Sequence, residues 1–131
     1  MLDLAALQTQ DCLFDLGCGD GRLVIGAARR GARAVGVDLD ASLVRRCQAR
    51  AIEAGVSHRV EFRRDNFFEV DLQEATVITL YLLTSVNRAL RPRLQALRPG
   101  TRIISHSFAM DDWQPDFMTV VECKELYHWT V

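Results

Sequence analysis

Residues 17–21 read Gly-Cys-Gly-Asp-Gly, directly after the largely apolar run Cys12-Leu13-Phe14-Asp15-Leu16. Three glycines in five residues constrain the chain strongly. They open backbone conformations closed to other residues at the point where a buried strand feeds a helix. Leu23, Val24, Ala27 and Ala28 then recur at helical spacing, with Asp20 as the expected N-cap and Gly31 as the stop. Residues 34–38, Ala-Val-Gly-Val-Asp, form a second apolar run of the kind buried on both faces of a parallel sheet. Across residues 41–54, Leu43, Val44, Cys47, Ala51 and Ala54 fall on one helical face, which Gly55 ends.

Further strands are predicted at 60–64 and 76–82. Residues 65–75 between them are too few for a full crossover helix, so that face of the sheet is expected to be thinly covered. A helix is expected over 84–97, interrupted or restarted at Pro92, before Pro99-Gly100 turns into a fifth strand at 102–106. Two β-like stretches, 117–123 and 126–131, read as an antiparallel pair. The pattern implies an α/β domain spanning residues 1–131, an open and mostly parallel sheet with helices on both faces and a C-terminal antiparallel strand pair. Ligands of such sheets bind beyond the carboxyl ends of the strands, here near Asp15, Asp38, Asp65 and Tyr81.

Asp38 stands 21 positions after Gly17 at the end of the second strand, which follows the logic of a dinucleotide site. The spacing departs from it. Arg22 stands where the third glycine of G-x-G-x-x-G belongs, and Asp20 brings a carboxylate to the position of the pyrophosphate, where two anions would repel. S-adenosylmethionine has no phosphate and carries a cationic sulfonium and amino group. The acids Asp15, Asp20, Asp38, Asp40 and Asp65 would favour it. The competing reading is a tight glycine turn flanked by helix-capping aspartates.

Asp15-Leu16-Gly17-Cys18-Gly19-Asp20-Gly21 resembles the first motif of class I, Rossmann-like methyltransferases, and Gly36-Val37-Asp38 resembles their second. Four further segments narrow the resemblance: Asn66-Phe67-Phe68-Glu69-Val70-Asp71, Ala75-Thr76-Val77, Leu82-Leu83-Thr84-Ser85-Val86-Asn87, and Arg98-Pro99-Gly100-Thr101-Arg102 with Ser105-His106. They are similar to a family of small archaeal and bacterial methyltransferases that includes broad-specificity protein lysine methyltransferases. The similarity runs from about Asp11 through Trp113-Gln114-Pro115.

The resemblance implies S-adenosyl-L-methionine as cofactor and S-adenosyl-L-homocysteine as product. Asp15 would lie near the cofactor's amino group, and Gly17 and Gly19 along its methionine part. Asp38 would hold the ribose hydroxyls, and Asn66 with the Phe67 backbone would face the adenine. Cys18, Leu39, Asp65 and Thr79 complete the expected binding set. Relatives carry an N-terminal segment that helps close the site, whereas eleven residues precede the first strand here, so that cover is expected to be absent or supplied by another subunit.

Enzymes that methylate the planar amines of adenine or glutamine commonly carry Asn or Asp, Pro-Pro and an aromatic residue at the fourth strand. This chain has Thr79-Leu80-Tyr81-Leu82, a wall better suited to an sp³ amine, so a protein partner with exposed lysines is the expected acceptor; the alternatives are a small metabolite or nucleic acid as acceptor, or a cofactor-binding module with little activity. Tyr81 is read as the residue of the acceptor channel, with a packing tyrosine as the alternative. His106 is read as structural rather than as a general base. Cys18 is read as a small filler of the turn rather than a nucleophile, because Asp15 and Asp20 oppose thiolate formation. Trp113 and Pro115 are expected to cover an edge of the sheet.

Fifteen of the sixteen basic residues are arginines and Lys124 is the only lysine, with a net charge of -1. A pI near 6.3 argues against a nucleic-acid footprint. Cys12, Cys18, Cys47 and Cys123 form no C-x-x-C pair and lie near no histidine in sequence, so reduced thiols without a metal are expected. No apolar run approaches the roughly 20 residues that cross a bilayer, and Met1-Leu2-Asp3-Leu4 does not open a signal peptide, which implies a cytoplasmic protein without membrane partners.

Overall fold

Every residue of Cys12–Leu16 (β1) is buried, and so are the four central residues of Arg33–Asp38 (β2). Strands so enclosed need cover on both faces, which the rest of the chain provides. In the computed structural model, which describes residues 5–107, 109–110, 113–121 and 124–131, β1 leads through α1 (Arg22–Arg29) to β2. There follow α2 (Ala41–Glu53), β3 (Val60–Arg64), β4 (Val77–Leu80), α3 (Thr84–Gln95), β5 (Arg102–His106), β6 (Phe117–Val121) and β7 (Lys124–Thr130). The strands make one seven-stranded sheet in the order β3-β2-β1-β4-β5-β7-β6. The first five are parallel; β7 runs antiparallel to β5, and β6 antiparallel to β7.

Alternate strand residues feed two cores. Leu13, Ala34, Phe62, Val77 and Ile104 pack with Val24, Ala27 and Ala28 of α1 and Val44, Cys47 and Ala51 of α2. On the other face Phe14, Leu16, Val35, Val37, Ile78 and Ile103 pack with Leu90 and Leu94 of α3 and with Trp129. As expected, no helix joins β3 to β4; Val70, Leu72 and Ala75, from turns between them, are buried against this second core.

Several details differ from expectation. The N-cap of α1 is Gly21 at φ +78°, not Asp20, whose carboxylate instead accepts the Arg22 N–H at 3.0 Å. The helix α3 runs unbroken through Pro92, which lies on its exposed side, where a carbonyl deprived of its partner can meet water. β4 ends at Leu80, two residues early, which frees Tyr81 and Leu82 from the sheet. The expected C-terminal pair forms, with β7 seated on β5 and β6 outermost. Residues 1–4 and Cys123 lie outside the described residues. Among the described residues no helix is long and apolar enough to cross a membrane, and no His, Cys, Asp and Glu group could hold a metal.

Candidate active site

The order of the sheet reverses at β1, which lies between β2 and β4, so a crevice opens at the carboxyl ends of these strands. Gly17 and Gly19 turn there with φ of +76° and +54°, conformations that strain any residue with a Cβ. The loop hangs from the end of β2. The N–H groups of Gly17 and Cys18 donate to the Val37 carbonyl at 2.8 and 3.0 Å, and that of Gly19 donates to Asp38 Oδ2 at 3.1 Å. The other Asp38 oxygen accepts the Asp40 N–H at 3.0 Å. Apart from its two chain neighbours, no atom of the described residues lies within 4 Å of the place a Gly19 Cβ would occupy, so open space borders the loop.

Asp15 pairs in register with Gly36 on one side and Thr79 on the other. The Thr79 hydroxyl donates to Asp15 Oδ1 at 2.8 Å. Burial pushes the Asp15 carboxyl up to about 7; the Thr79 hydrogen bond opposes this, and Asp20 and Asp38 add to it. Thr79 is fully buried, so it orients Asp15 from beneath. Asp20 is differently placed: Arg22 Nη2 stands 3.3 Å and Arg50 Nη1 3.9 Å from its Oδ2, which offsets much of its charge. Asp15, by contrast, has no cation beside it among the described residues and accepts one hydroxyl hydrogen bond.

A cavity of about 600 Å³ joins Asp15, the loop 17–20 and Tyr81 with His106 and, from the C-terminal hairpin, Val121, Lys124 and Leu126. That volume suits a small-molecule ligand. Tyr81 is 52% exposed, so it is not a buried tyrosine, and its ring packs on that of His106, centroids 4.3 Å apart. Burial and the neighbouring Lys124 charge lower the His106 pKa. Cys18 is buried, which pushes its thiol up and supports its reading as a filler.

The remaining expected residues form a ledge beside the loop rather than part of the cavity wall. Asp65 N–H donates to the Asp38 carbonyl at 3.1 Å, Asn66 N–H to Asp65 Oδ1 at 2.7 Å, and Phe68 N–H to Asn66 Oδ1 at 2.9 Å. Arg93 Nη1 holds the Phe67 carbonyl at 2.8 Å. Leu39 is 59% exposed at the edge of this ledge. Trp113 packs against Trp129, centroids 5.8 Å apart, on the face of β7, an internal strand, rather than over an edge of the sheet as expected. Sequence reasoning missed Val121, Lys124 and Leu126, because nothing local signals that β7 pairs with β5.

The sequence profile of the ANTKMT methyltransferase domain matches residues 15–117, from Asp15 to the start of β6. The chain belongs to this methyltransferase family. A protein-lysine N-methyltransferase of Saccharolobus islandicus (strain REY15A) is 43% identical over 131 residues, 98% of this chain and 81% of that protein. The adenine nucleotide translocase lysine N-methyltransferase of Mus musculus is 37% identical over 105 residues, 79% of this chain and 46% of its own. The crystal structure of an RNA methyltransferase from Salinibacter ruber in complex with S-adenosyl-L-homocysteine matches with a TM-score of 0.96 at 52% identity, covering 99% of this chain and 86% of that one.

This ANTKMT-type domain is an enzyme that uses S-adenosyl-L-methionine. Its residues fit that group. A buried carboxyl with little local compensation meets the cavity at Asp15, open space borders Gly19, and a second carboxylate stands at the end of β2.

Proposed function

We propose that the chain methylates lysine ε-amines of a protein partner. The carrying observation is the Tyr81–His106 ring pair, which stands with Asp15 in the cavity that adjoins the glycine loop. In this reading Asp15, Gly17, Cys18, Gly19, Asp38, Leu39, Asp65, Asn66 and Phe67 bind the cofactor, Thr79 orients Asp15, and Tyr81 lines the acceptor channel. The lysine methyltransferase names of the Saccharolobus and mouse relatives support it. The cytoplasmic setting expected from the sequence belongs to the same reading.

Bound S-adenosylmethionine supplies a methyl group on a positive sulfur. The chain's part is alignment and exclusion of water from the transfer. The acidic rim attracts a protonated lysine, and the Tyr81 ring offers its face to the cation. A lysine with an ordinary pKa of about 10.4 must lose its proton before attack. Burial and the Lys124 charge lower the His106 pKa, in keeping with its structural reading, and water takes the proton.

Radiolabelled methyl transfer to a mixture of proteins and RNA, followed by amino-acid and nucleoside analysis, tests the reading. Label on methyl-lysine, at a rate that climbs between pH 6 and 10, is the expected result. Label on RNA or a small molecule with none on lysine overturns it, and so does a flat pH profile. The pI near 6.3 and the acidic rim disfavour a phosphate backbone.

A further inference from the structure

Fifteen of the chain's sixteen basic side chains are guanidiniums, which keep their proton and offer no free lone pair. The sixteenth, Lys124, is the only lysine, and it borders the cavity that holds Asp15, Gly17 and Gly19. Topology brings it there. β7 runs antiparallel to β5, so its first residue lies beside the carboxyl ends of the parallel strands, where the cofactor loop also lies. The hairpin is pinned in that position: His106 pairs in register with Leu126, and Ser107, at φ +70°, donates its N–H to the Glu125 carbonyl at 2.7 Å. Lys124 is exposed, and its charge is felt by His106.

We propose that Lys124 is an acceptor in its own active site, and that the chain methylates itself there in cis. The inference rests on the lysine-acceptor reading above. A tethered amine needs no encounter step, which is the advantage that proximity gives to intramolecular reactions. The Lys124 nitrogen, having passed a proton to water, forms the new N–C bond as the methyl–sulfur bond breaks. The electron pair of the broken bond stays on sulfur, leaving S-adenosylhomocysteine. Methylation keeps the charge of the side chain and adds apolar bulk at the cavity wall.

The test is mass spectrometry of the whole chain and its peptides, first as purified from cells and then after incubation with labelled S-adenosylmethionine, with a lysine-rich protein added in parallel. The expected result is a mass increase of one to three methyl groups confined to Lys124, at a fractional rate that does not change with protein concentration. The label disappears from the chain in Lys124→Arg. An unmodified chain that still methylates the added protein overturns the inference and leaves the lysine reading standing. Failure of both reactions overturns the lysine reading and the inference with it. Label that persists in Lys124→Arg, as on the terminal amine, or a fractional rate that rises with protein concentration, overturns self-methylation at Lys124 in cis.

Discussion

Asp15 is the residue where stability and function pull apart. Its carboxyl is buried between Gly36 and Thr79 with one hydroxyl donor, and it keeps a proton up to about pH 7. The unfolded chain gives that proton up near 3.8. Between those values the folded state holds the proton and the unfolded state does not, so stability falls as pH rises and remains lowered above 7. The difference corresponds to roughly 4 kcal/mol at most. Asp15→Asn keeps an acceptor for Thr79 and removes the titration. It should raise the denaturation midpoint at pH 8, leave it unchanged at pH 3, and, on the proposed assignment of Asp15 to the cofactor, weaken cofactor binding at pH 8. Equal midpoints for both proteins at pH 8 would contradict this account.

At the scale of elements, the close stacking of β2 on β3 and the glycine loop depends on Gly36. A Cβ there would lie 2.8 Å from the Phe62 ring and 2.9 Å from Cys18 Sγ, with no free volume on that side. Gly36→Ala should therefore cost about 1–3 kcal/mol by overpacking, read as a lower urea midpoint with an unchanged slope. Much of this region is legible in sequence, since runs such as 12–16 and 34–38 carry apolar residues on both faces and need no distant information. The start of α1 is less so. Asp20 is the expected cap, but the helix begins after Gly21, whose φ of +78° suits glycine and whose Cβ, if present, would meet Cys47 Sγ at 2.8 Å. Pro92 misleads in the opposite sense: its cost depends on whether the freed carbonyl faces water, which only packing determines.

At the scale of the whole molecule, one ion pair ties the segment before β1 to the far half of the sheet. Arg102 Nη2 lies 2.5 Å from Asp11 Oδ1, and its Nη1 donates to the Ala5 carbonyl at 2.5 Å, while the Thr76 hydroxyl donates to Asp11 at 2.8 Å. Burial raises the Asp11 pKa, but hydrogen bonds from the Gln8 N–H, Arg102 and Thr76 outweigh it and hold the carboxyl below its usual range. That contribution is present above the ordinary value of 3.8 and is lost as pH falls through the lower folded value. Arg102→Met leaves Asp11 buried without its cation and should cost about 3 kcal/mol, the low end for breaking a buried pair. Thermal unfolding at pH 7 checks it, and the loss should shrink once Asp11 is protonated.

By itself the sequence determined the strand–glycine loop–helix unit, the parallel half of the sheet and the presence of acids at the carboxyl ends of its strands. These features are local: glycine spacing, apolar periodicity and an acid at a strand end can be read within a few dozen residues. The tertiary structure decided the surroundings of the carboxylates: Asp20 pairs with Arg22 and Arg50, whereas Asp15 is buried with a single hydroxyl donor. It also decided the far wall of the cavity. The pairing of β7 with β5, such as His106 with Leu126, carries Val121, Lys124 and Leu126 to a glycine loop about a hundred positions earlier in the chain, which no local pattern encodes.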